Sequence, residues 1–128
     1  MAGADPPDFD PSGFGGATWR SVTATDCRFD DANFRLAHLA QARFAGCACV
    51  RADLGAARLE EVAFPESDLS GADVSNATCA NVDLRGARLD GLRGVGALRG
   101  ATVGVDQLYL LAPGLAAAVG LTVLADEG

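Results

Sequence analysis

Few side chains in this sequence could do chemistry, and the four cysteines are the first candidates. Cys47 and Cys49 are separated by a single alanine. Cys27 lies twenty residues before Cys47, and Cys79 stands alone. Clustered thiols invite a metal-binding or redox interpretation. A zinc site needs four convergent ligands, a thiolate nucleophile needs an activating group, and the chain contains one histidine, His38, to serve either need.

A five-residue repeat decides where these side chains point. Every fifth residue from Phe9 to Leu89 is apolar, and from Ser12 onward the residue two before each of them is small. A period of five fits neither an α-helix nor a simple strand. It fits a chain that turns a corner every five residues, with the large and the small residue of each unit pointing inward. The sixteen units of residues 12–91 then form four square coils, stacked at the ~4.8 Å strand spacing.

The repeat places all four cysteines inside the coils, so we interpret them as core residues. Cys27 and Cys47 would stack at a Cα separation that permits a disulfide. Parallel side chains give that bond poor torsion angles, however, and a cytosolic setting keeps thiols reduced. His38 points outward, whereas Ser12 and Ser67 point inward, so a Ser/His/Asp constellation cannot assemble. The sequence therefore predicts a protein that is not an enzyme, with no catalytic residue, metal site or cofactor.

Individual units resemble a known family. ADLGA at 52–56, ADVSN at 72–76 and ARLDG at 87–91 are similar to the A(D/N)Lxx units of the pentapeptide-repeat family. The resemblance runs in unbroken register over roughly two thirds of the chain. It implies an all-β solenoid, a right-handed quadrilateral parallel β-helix of about four coils. The family includes DNA mimics that inhibit DNA gyrase, as well as members with no known role.

The repeat also divides the chain. Residues 1–11 are predicted to be a flexible N-terminal segment, with Phe9 as a plug over the first coil. Residues 12–91 are the β-helix. Residues 92–128 are predicted to be an irregular last turn followed by a short C-terminal helical cap, because the apolar spacing loses one residue after Leu89.

Capping signals predict the local structure of the C-terminal segment. Asp106 is expected to be the N-cap of a short helix over residues 107–112. Pro113 would end that helix and begin a second one that ends near Gly120. Residues 121–124 are expected to form a brief strand.

This segment carries more apolar surface than one stack end can hide. We expect it both to cap its own coil and to pack on a second copy of the chain. The resemblance also implies C-terminal dimerisation. The predicted dimer interface consists of Leu108, Leu110, Leu111, Leu115, Val119 and Leu121.

The charge of the chain limits its partners. Its formal net charge is −7, and all ten cations are arginine. A basic surface for direct nucleic-acid binding is therefore not expected. No uncharged apolar run reaches the ~20 residues of a membrane span, and the N-terminal residues contain no apolar signal region. A cytoplasmic protein with a protein partner is the simplest expectation.

Outward carboxylates are the remaining candidates for binding. Asp53 and Asp73 should stack in one column above Asn33. By resemblance, such a column implies a DNA mimic that binds a type II topoisomerase such as DNA gyrase. The predicted partner-binding residues are Asp53, Asp73, Glu60, Glu61, Glu66 and Asp68.

Two other functions stay open at this point. One is a structural or scaffold module with no topoisomerase role, whose acids only solvate the surface. Eight arginines among the eleven carboxylates of residues 12–91 favour that interpretation. The other is an enzyme or metal protein, which would require bound metal or thiols that react in the folded state.

Overall fold

A register of twenty residues runs through the chain, as the five-residue repeat predicts. The computed structural model describes residues 16–124. In it Thr18 pairs with His38, His38 with Arg58, and Arg58 with Thr78, always in parallel. The chain is therefore a parallel β-solenoid of about four coils. The segment 1–11, its proposed plug at Phe9 and the inward Ser12 lie outside the described residues.

Five strands, one above the other, form a single parallel sheet. The longer strands run along two adjacent sides of a coil and turn one corner within the strand. The other two sides pair through single bridges, such as the one between Asn33 and Asp53. The strands are β1 (Thr18–Thr25), β2 (His38–Ala45), β3 (Arg58–Ala63), β4 (Thr78–Asp83) and β5 (Ala101–Thr102).

Each corner is made by one residue in the left-handed backbone conformation. The residue two after each inward large residue has φ between 54° and 84° at all sixteen corners from Gly16 to Gly91. Eleven of these residues are not glycine. An L-residue in that conformation costs roughly 1–2 kcal/mol. Core packing and the ladder of backbone hydrogen bonds must therefore offset a repeated local strain.

Large and small side chains alternate inside the coils and fill the interior. Phe29, Leu39 and Phe44 are each at most 1% exposed. The rings of Phe44 and Phe64 stack with centroids 5.3 Å apart, and Trp19 meets Phe34 edge-on at 5.5 Å. Such ring pairs add packing energy beyond the area that they bury. Aromatic side chains thus hold the N-terminal coils together, as their positions in the repeat predict.

The last turn is irregular, as expected. Ala101 in β5 pairs with Val82, nineteen residues earlier, so one residue is lost from the register. A short 3-10 turn at Val95–Ala97 occupies part of this coil. β5 covers β4 only at Val82 and Asp83. The rest of β4 therefore lacks a paired strand above it.

The C-terminal segment forms one helix, α1 (Val105–Ala118), so the prediction of two short helices is wrong. Pro113 lies inside α1 and is exposed. It removes one backbone donor, but Leu111 before it and Leu115 after it both pack against the last coil and hold the helix on each side. Among residues 16–124, none of the helices has the length and hydropathy that a transmembrane span requires.

The ends of α1 also differ from the prediction. Gly104 is the N-cap, and Asp106 lies in the first turn. The side chain of Gln107 fixes this start, because its Oε1 accepts the Gly104 N–H at 2.7 Å while its amide donates to the Leu84 carbonyl at 2.6 Å. The predicted strand over 121–124 is wrong, since the Leu121 N–H donates back to the helix and the chain leaves the sheet.

Replacing Leu36 with glycine tests the cost of the left-handed corners. Leu36 has φ of 63° and is 65% exposed, so it contributes strain and little burial. We expect Leu36→Gly to raise the free energy of unfolding by about 1 kcal/mol, measured from urea-induced unfolding. The control is Ala37→Gly at the next position, which is fully buried and lacks a positive φ. It should destabilise the protein, and equal destabilisation by both variants would contradict the argument.

Candidate interaction surfaces

The cysteines are core residues, with one exception. Cys27, Cys47 and Cys49 are buried, and none of the four forms a disulfide. Burial raises the pKa of the Cys47 and Cys49 thiols, which makes their thiolates unfavourable. Cys79 is only partly buried, contrary to the expectation that all four are enclosed. Its exposure follows from the missing strand pairing above the first half of β4.

Ser67 points into the coil and His38 points away from it, as predicted. Ser67 is 2% exposed; its hydroxyl donates to the Phe44 carbonyl at 2.7 Å and accepts the Cys47 N–H at 3.0 Å. His38 is on the outward side of the coil but partly buried, and its buried Nε2 lies 3.4 Å from a Glu60 oxygen without forming a hydrogen bond. Across residues 16–124, no cluster of His, Cys, Asp or Glu could hold a metal ion.

Asp53 and Asp73 do stack above Asn33, but each carboxylate also accepts a backbone hydrogen bond within its own turn. Bridges join Asn33 to Asp53 and Asp53 to Asp73. One oxygen of Asp53 accepts the Gly55 N–H at 2.9 Å, and one of Asp73 accepts the Ser75 N–H at the same distance. These are Asx turns, in which a carboxylate replaces a backbone acceptor. Hydrogen bonds from Ser75 lower the pKa of Asp73.

The six carboxylates predicted to bind a partner do not form one stripe. Glu60 is paired with Arg58 at 3.2 Å, while Glu61 and Glu66 are exposed. The five-residue repeat spreads the set over three sides and two corners of the coils: Asp53 and Asp73 on one side, Glu60 and Asp68 on two others, and Glu61 and Glu66 at the corners.

Arginines neutralise much of the lateral surface. Seven of the ten arginines form ion pairs with seven different carboxylates: Arg28, Arg35, Arg51, Arg58, Arg85, Arg88 and Arg93. Exposed pairs contribute little stability, but they change the surface potential. Residues 16–124 contain all ten arginines and twelve of the 17 acids, a net charge of −2. The other five acids lie outside the described residues.

The pair between Arg85 and Asp83 has the strongest effect on a carboxyl group. The Arg85 guanidinium donates twice to Asp83, at 2.8 and 3.0 Å. These bonds, with the Arg85 backbone N–H, lower the pKa of Asp83 to about 2. A carboxyl depressed in this way stabilises the fold above its unfolded pKa near 3.9, and the contribution is lost as the pH falls toward 2.

The C-terminal end of the solenoid, formed by α1 and the residues after it, exposes many apolar side chains. Leu111 and Leu115, two of the predicted dimer residues, cap the chain's own last coil, as was also expected of this segment. The exposed side chains are 47–82% accessible: Val105, Leu108, Tyr109, Leu110, Val119, Leu121, Val123 and Leu124. We call these eight residues the apolar end. Sequence analysis missed Val105, Tyr109, Val123 and Leu124, because it ended the helix at Pro113 and placed 121–124 in a strand.

A shallow concavity lies within the apolar end. Its volume is about 460 Å³, and its lining includes Tyr109, Ala112, Ala116, Leu121 and Val123. Residues 121 and 123 thus lie along the outer side of α1, away from the coils. The one charged residue of α1, Asp106, is in the first turn. An uncharged apolar surface of this kind suits an apolar partner surface.

Comparisons with known proteins agree with this architecture. Residues 17–93 match the family described as Pentapeptide repeat region. A comparison with curated protein sequences gives no match. Among solved structures, the chain is similar to HetL, a pentapeptide repeat protein involved in heterocyst differentiation regulation in the cyanobacterium Nostoc, with 27% identity and a TM-score of 0.63. That match covers 67% of this chain and 40% of HetL, so the chain spans less than half of that protein.

Two further solved structures show lower similarity. A trypsin-treated variant of QnrB1, a plasmid-mediated fluoroquinolone resistance protein, is 17% identical with a TM-score of 0.48, and the match covers 91% of this chain and 94% of QnrB1. A pentapeptide repeat protein from the Arabidopsis thaliana thylakoid lumen is 23% identical with a TM-score of 0.47, covering 83% and 81% of the two chains.

Thiol reactivity tests the assignment of the cysteines to the core. In the native protein we expect a small disulfide reagent to modify one thiol per chain, that of Cys79. All four should react after unfolding in urea, because burial protects Cys27, Cys47 and Cys49 until then. The variant Cys79→Ala should abolish the native reaction. Fast native modification of Cys47 or Cys49 would instead support a redox or metal function.

Proposed function

The chain belongs to the pentapeptide-repeat family, and from that membership we propose that it is a non-catalytic protein that works by binding other proteins. The observation that best supports this proposal is the exposed surface of the apolar end. Exposed apolar patches on a folded protein typically mark contact sites, and this one gathers eight large side chains at one end of the solenoid.

The arrangement of polar groups supports a binding role over a catalytic one. In the described coils Ser67 and three thiols lie inside, where they bond backbone groups or pack against apolar side chains. The outward polar groups are mostly paired arginines and carboxylates. A nucleophile beside an activating base, which covalent catalysis requires, has no candidate among these residues.

The first partner that we propose is a second copy of the chain. The face of α1 that points away from the coils lacks basic residues and carries one acid, so it offers little charge for a charged partner to recognise. A two-fold contact places the same patch on both sides of the interface. We propose that this contact uses Leu110, Val119 and Leu121 of the predicted interface, together with Tyr109 and Val123. Leu108 lies beside Leu111 and Leu115, toward the last coil.

Light scattering coupled to size exclusion measures this dimer directly. Tyr109 is 75% exposed and lines the concavity, so Tyr109→Glu would place a charge in the interface and should convert the dimer to a monomer. The matched control is Leu36→Glu, which alters another exposed apolar residue, on the lateral surface. It should leave the dimer intact. A wild-type monomer at micromolar concentration would refute the proposed contact.

A second candidate function is the DNA mimic expected from the family resemblance. The column of Asp73 above Asp53 favours it, since the two carboxylates repeat at the strand spacing. The ion pairs and the net charge of −2 over residues 16–124 weaken it. For that reason we place binding through the apolar end first and topoisomerase inhibition second.

A supercoiling assay with purified DNA gyrase separates the two functions. If the chain mimics DNA, the wild-type protein should inhibit supercoiling at micromolar concentration, and Asp53→Asn with Asp73→Asn should weaken that inhibition several-fold. Asp106→Asn, which removes an acid far from the column, is the control. Absence of inhibition, and of protection against a fluoroquinolone, would eliminate the DNA mimic and leave binding through the apolar end.

A further inference from the structure

A second apolar depression lies on the side of α1 that faces the coils, between the helix and the last coil. Its volume is about 260 Å³, and its walls include Val95, Leu98, Val103, Leu111 and Leu115. We call it the crevice. Val95 and Leu111 are 7% and 4% exposed, so the packing of the helix on the coil holds these walls in place. A depression with fixed apolar walls is typical of a preformed ligand site.

The crevice is closed toward one end of α1 and open toward the other. A Cβ added to Gly114 would lie 2.9 Å from a Val95 methyl carbon, so the helix and the 3-10 turn are in contact at the closed end. At the open end Leu108 is 48% exposed. Leu108 and Leu115 both line the crevice, and their seven-residue separation along the helix spans about 10 Å. The crevice is therefore elongated along α1.

The rim of the crevice carries one positive charge. Arg99 lines the crevice and is exposed, and no acid is among the described residues that line it. Seven other arginines pair with carboxylates, whereas Arg99 forms no ion pair with a carboxylate of residues 16–124. A ligand that complements both the apolar walls and this guanidinium has an apolar part and one carboxylate.

The size of the crevice limits the apolar part of such a ligand. A cavity of about 150 Å³ holds benzene, which has six carbons. At the same packing, a volume of about 260 Å³ holds roughly ten carbons. The elongated shape of the crevice favours a linear chain over a ring.

We propose that the crevice binds a linear aliphatic carboxylate of about eight to ten carbons, with its tail along the apolar walls and its carboxylate paired with Arg99. The inference goes beyond the proposed dimer and does not depend on it, because the crevice and the concavity lie on opposite sides of α1. The bound tail contacts both the helix and the last coil. Binding therefore stabilises the packing of α1 on the solenoid.

A series of unbranched carboxylates from butanoate to dodecanoate, titrated by calorimetry, tests the size of the site. We expect the affinity to rise about fourfold with each added methylene, because each is removed from water. The rise should stop at about eight to ten carbons, where the tail fills the crevice. An affinity that climbs over the whole series without a plateau, or no binding of octanoate at millimolar concentration, would overturn the proposal.

Exchange of the head group tests the role of Arg99. Octanoate should bind about tenfold more tightly than octanol or octylamine, and Arg99→Gln should remove that preference. Arg43→Gln, at an exposed arginine of β2, is the matched control and should bind octanoate as the wild type does. Equal binding of octanol and octanoate by the wild type would mean that the crevice takes any apolar group, a protein side chain included, and would refute a carboxylate ligand.

Two further variants test where the ligand binds. Ala101 lines the crevice, so Ala101→Leu should fill it and abolish octanoate binding, while circular dichroism reports whether the coils stay folded. Tyr109→Glu, on the outer side of α1, should disrupt the proposed dimer and leave octanoate binding unchanged. Full binding by folded Ala101→Leu, or loss of binding in Tyr109→Glu, would overturn the assignment to the crevice. A wild-type monomer that binds octanoate would refute the dimer and support this site.

Discussion

The structure depends on a backbone ladder between residues paired at a register of twenty, whose hydrogen bonds join residues nineteen or twenty-one positions apart. The bond from the Asp53 N–H to the Ala32 carbonyl, 2.9 Å, and that from the Asp73 N–H to the Ala52 carbonyl, 3.0 Å, are typical. The ladder holds only if every coil has the same perimeter, and that requires a left-handed corner after every fifth residue. Residues such as Leu36 and Glu61 accept this strained conformation because the coils above and below fix it.

The same constraint determines which polar side chains are enclosed in the coils and which are exposed. Two residues of each five-residue unit point inward, so Ser67 and the thiols at 27, 47 and 49 are enclosed and bonded to backbone groups or packed. The positions on either side of the large residue point outward on the same side of the coil. Arg28 with Asp30, and Arg88 with Asp90, occupy such positions and pair at 3.3 Å. Local neutralisation is thus a consequence of the repeat.

Sequence periodicity was sufficient to predict the coils, because each unit repeats the same physical requirement. The stacking of His38 under Arg58, the inward Ser67 and the lost residue before β5 all follow from counting positions. The ion pairs of the Arg–x–Asp type could also have been found by that count. The bidentate pair of Arg51 with Asp31 could not, since it depends on side-chain torsions across two coils.

The C-terminal segment could not be predicted as well, because nothing in it repeats. Local signals placed an N-cap at Asp106 and a break at Pro113, but contacts distant in sequence decide both. Gln107 reaches the carbonyls of Leu84 and Ala87, which fixes where α1 begins. Leu111 is 4% exposed against the last coil, which carries the helix through the proline.

The last coil of the solenoid lacks the pairing that each earlier coil finds in the next one. Within the coils, each side of a coil is paired with the same side of the next coil through backbone hydrogen bonds. Many outward charged side chains also form ion pairs with one another. At the last coil the ladder ends. The helix α1 packs on this coil with one side only, and Tyr109 and Leu110 remain exposed to solvent. Among the described residues, the surfaces left without a partner in the chain are therefore this end and charged groups without an ion pair, such as Glu61 and Glu66 at the corners. The end offers the larger apolar area, and area removed from water, rather than exposed charge, supplies most of the free energy of stable association.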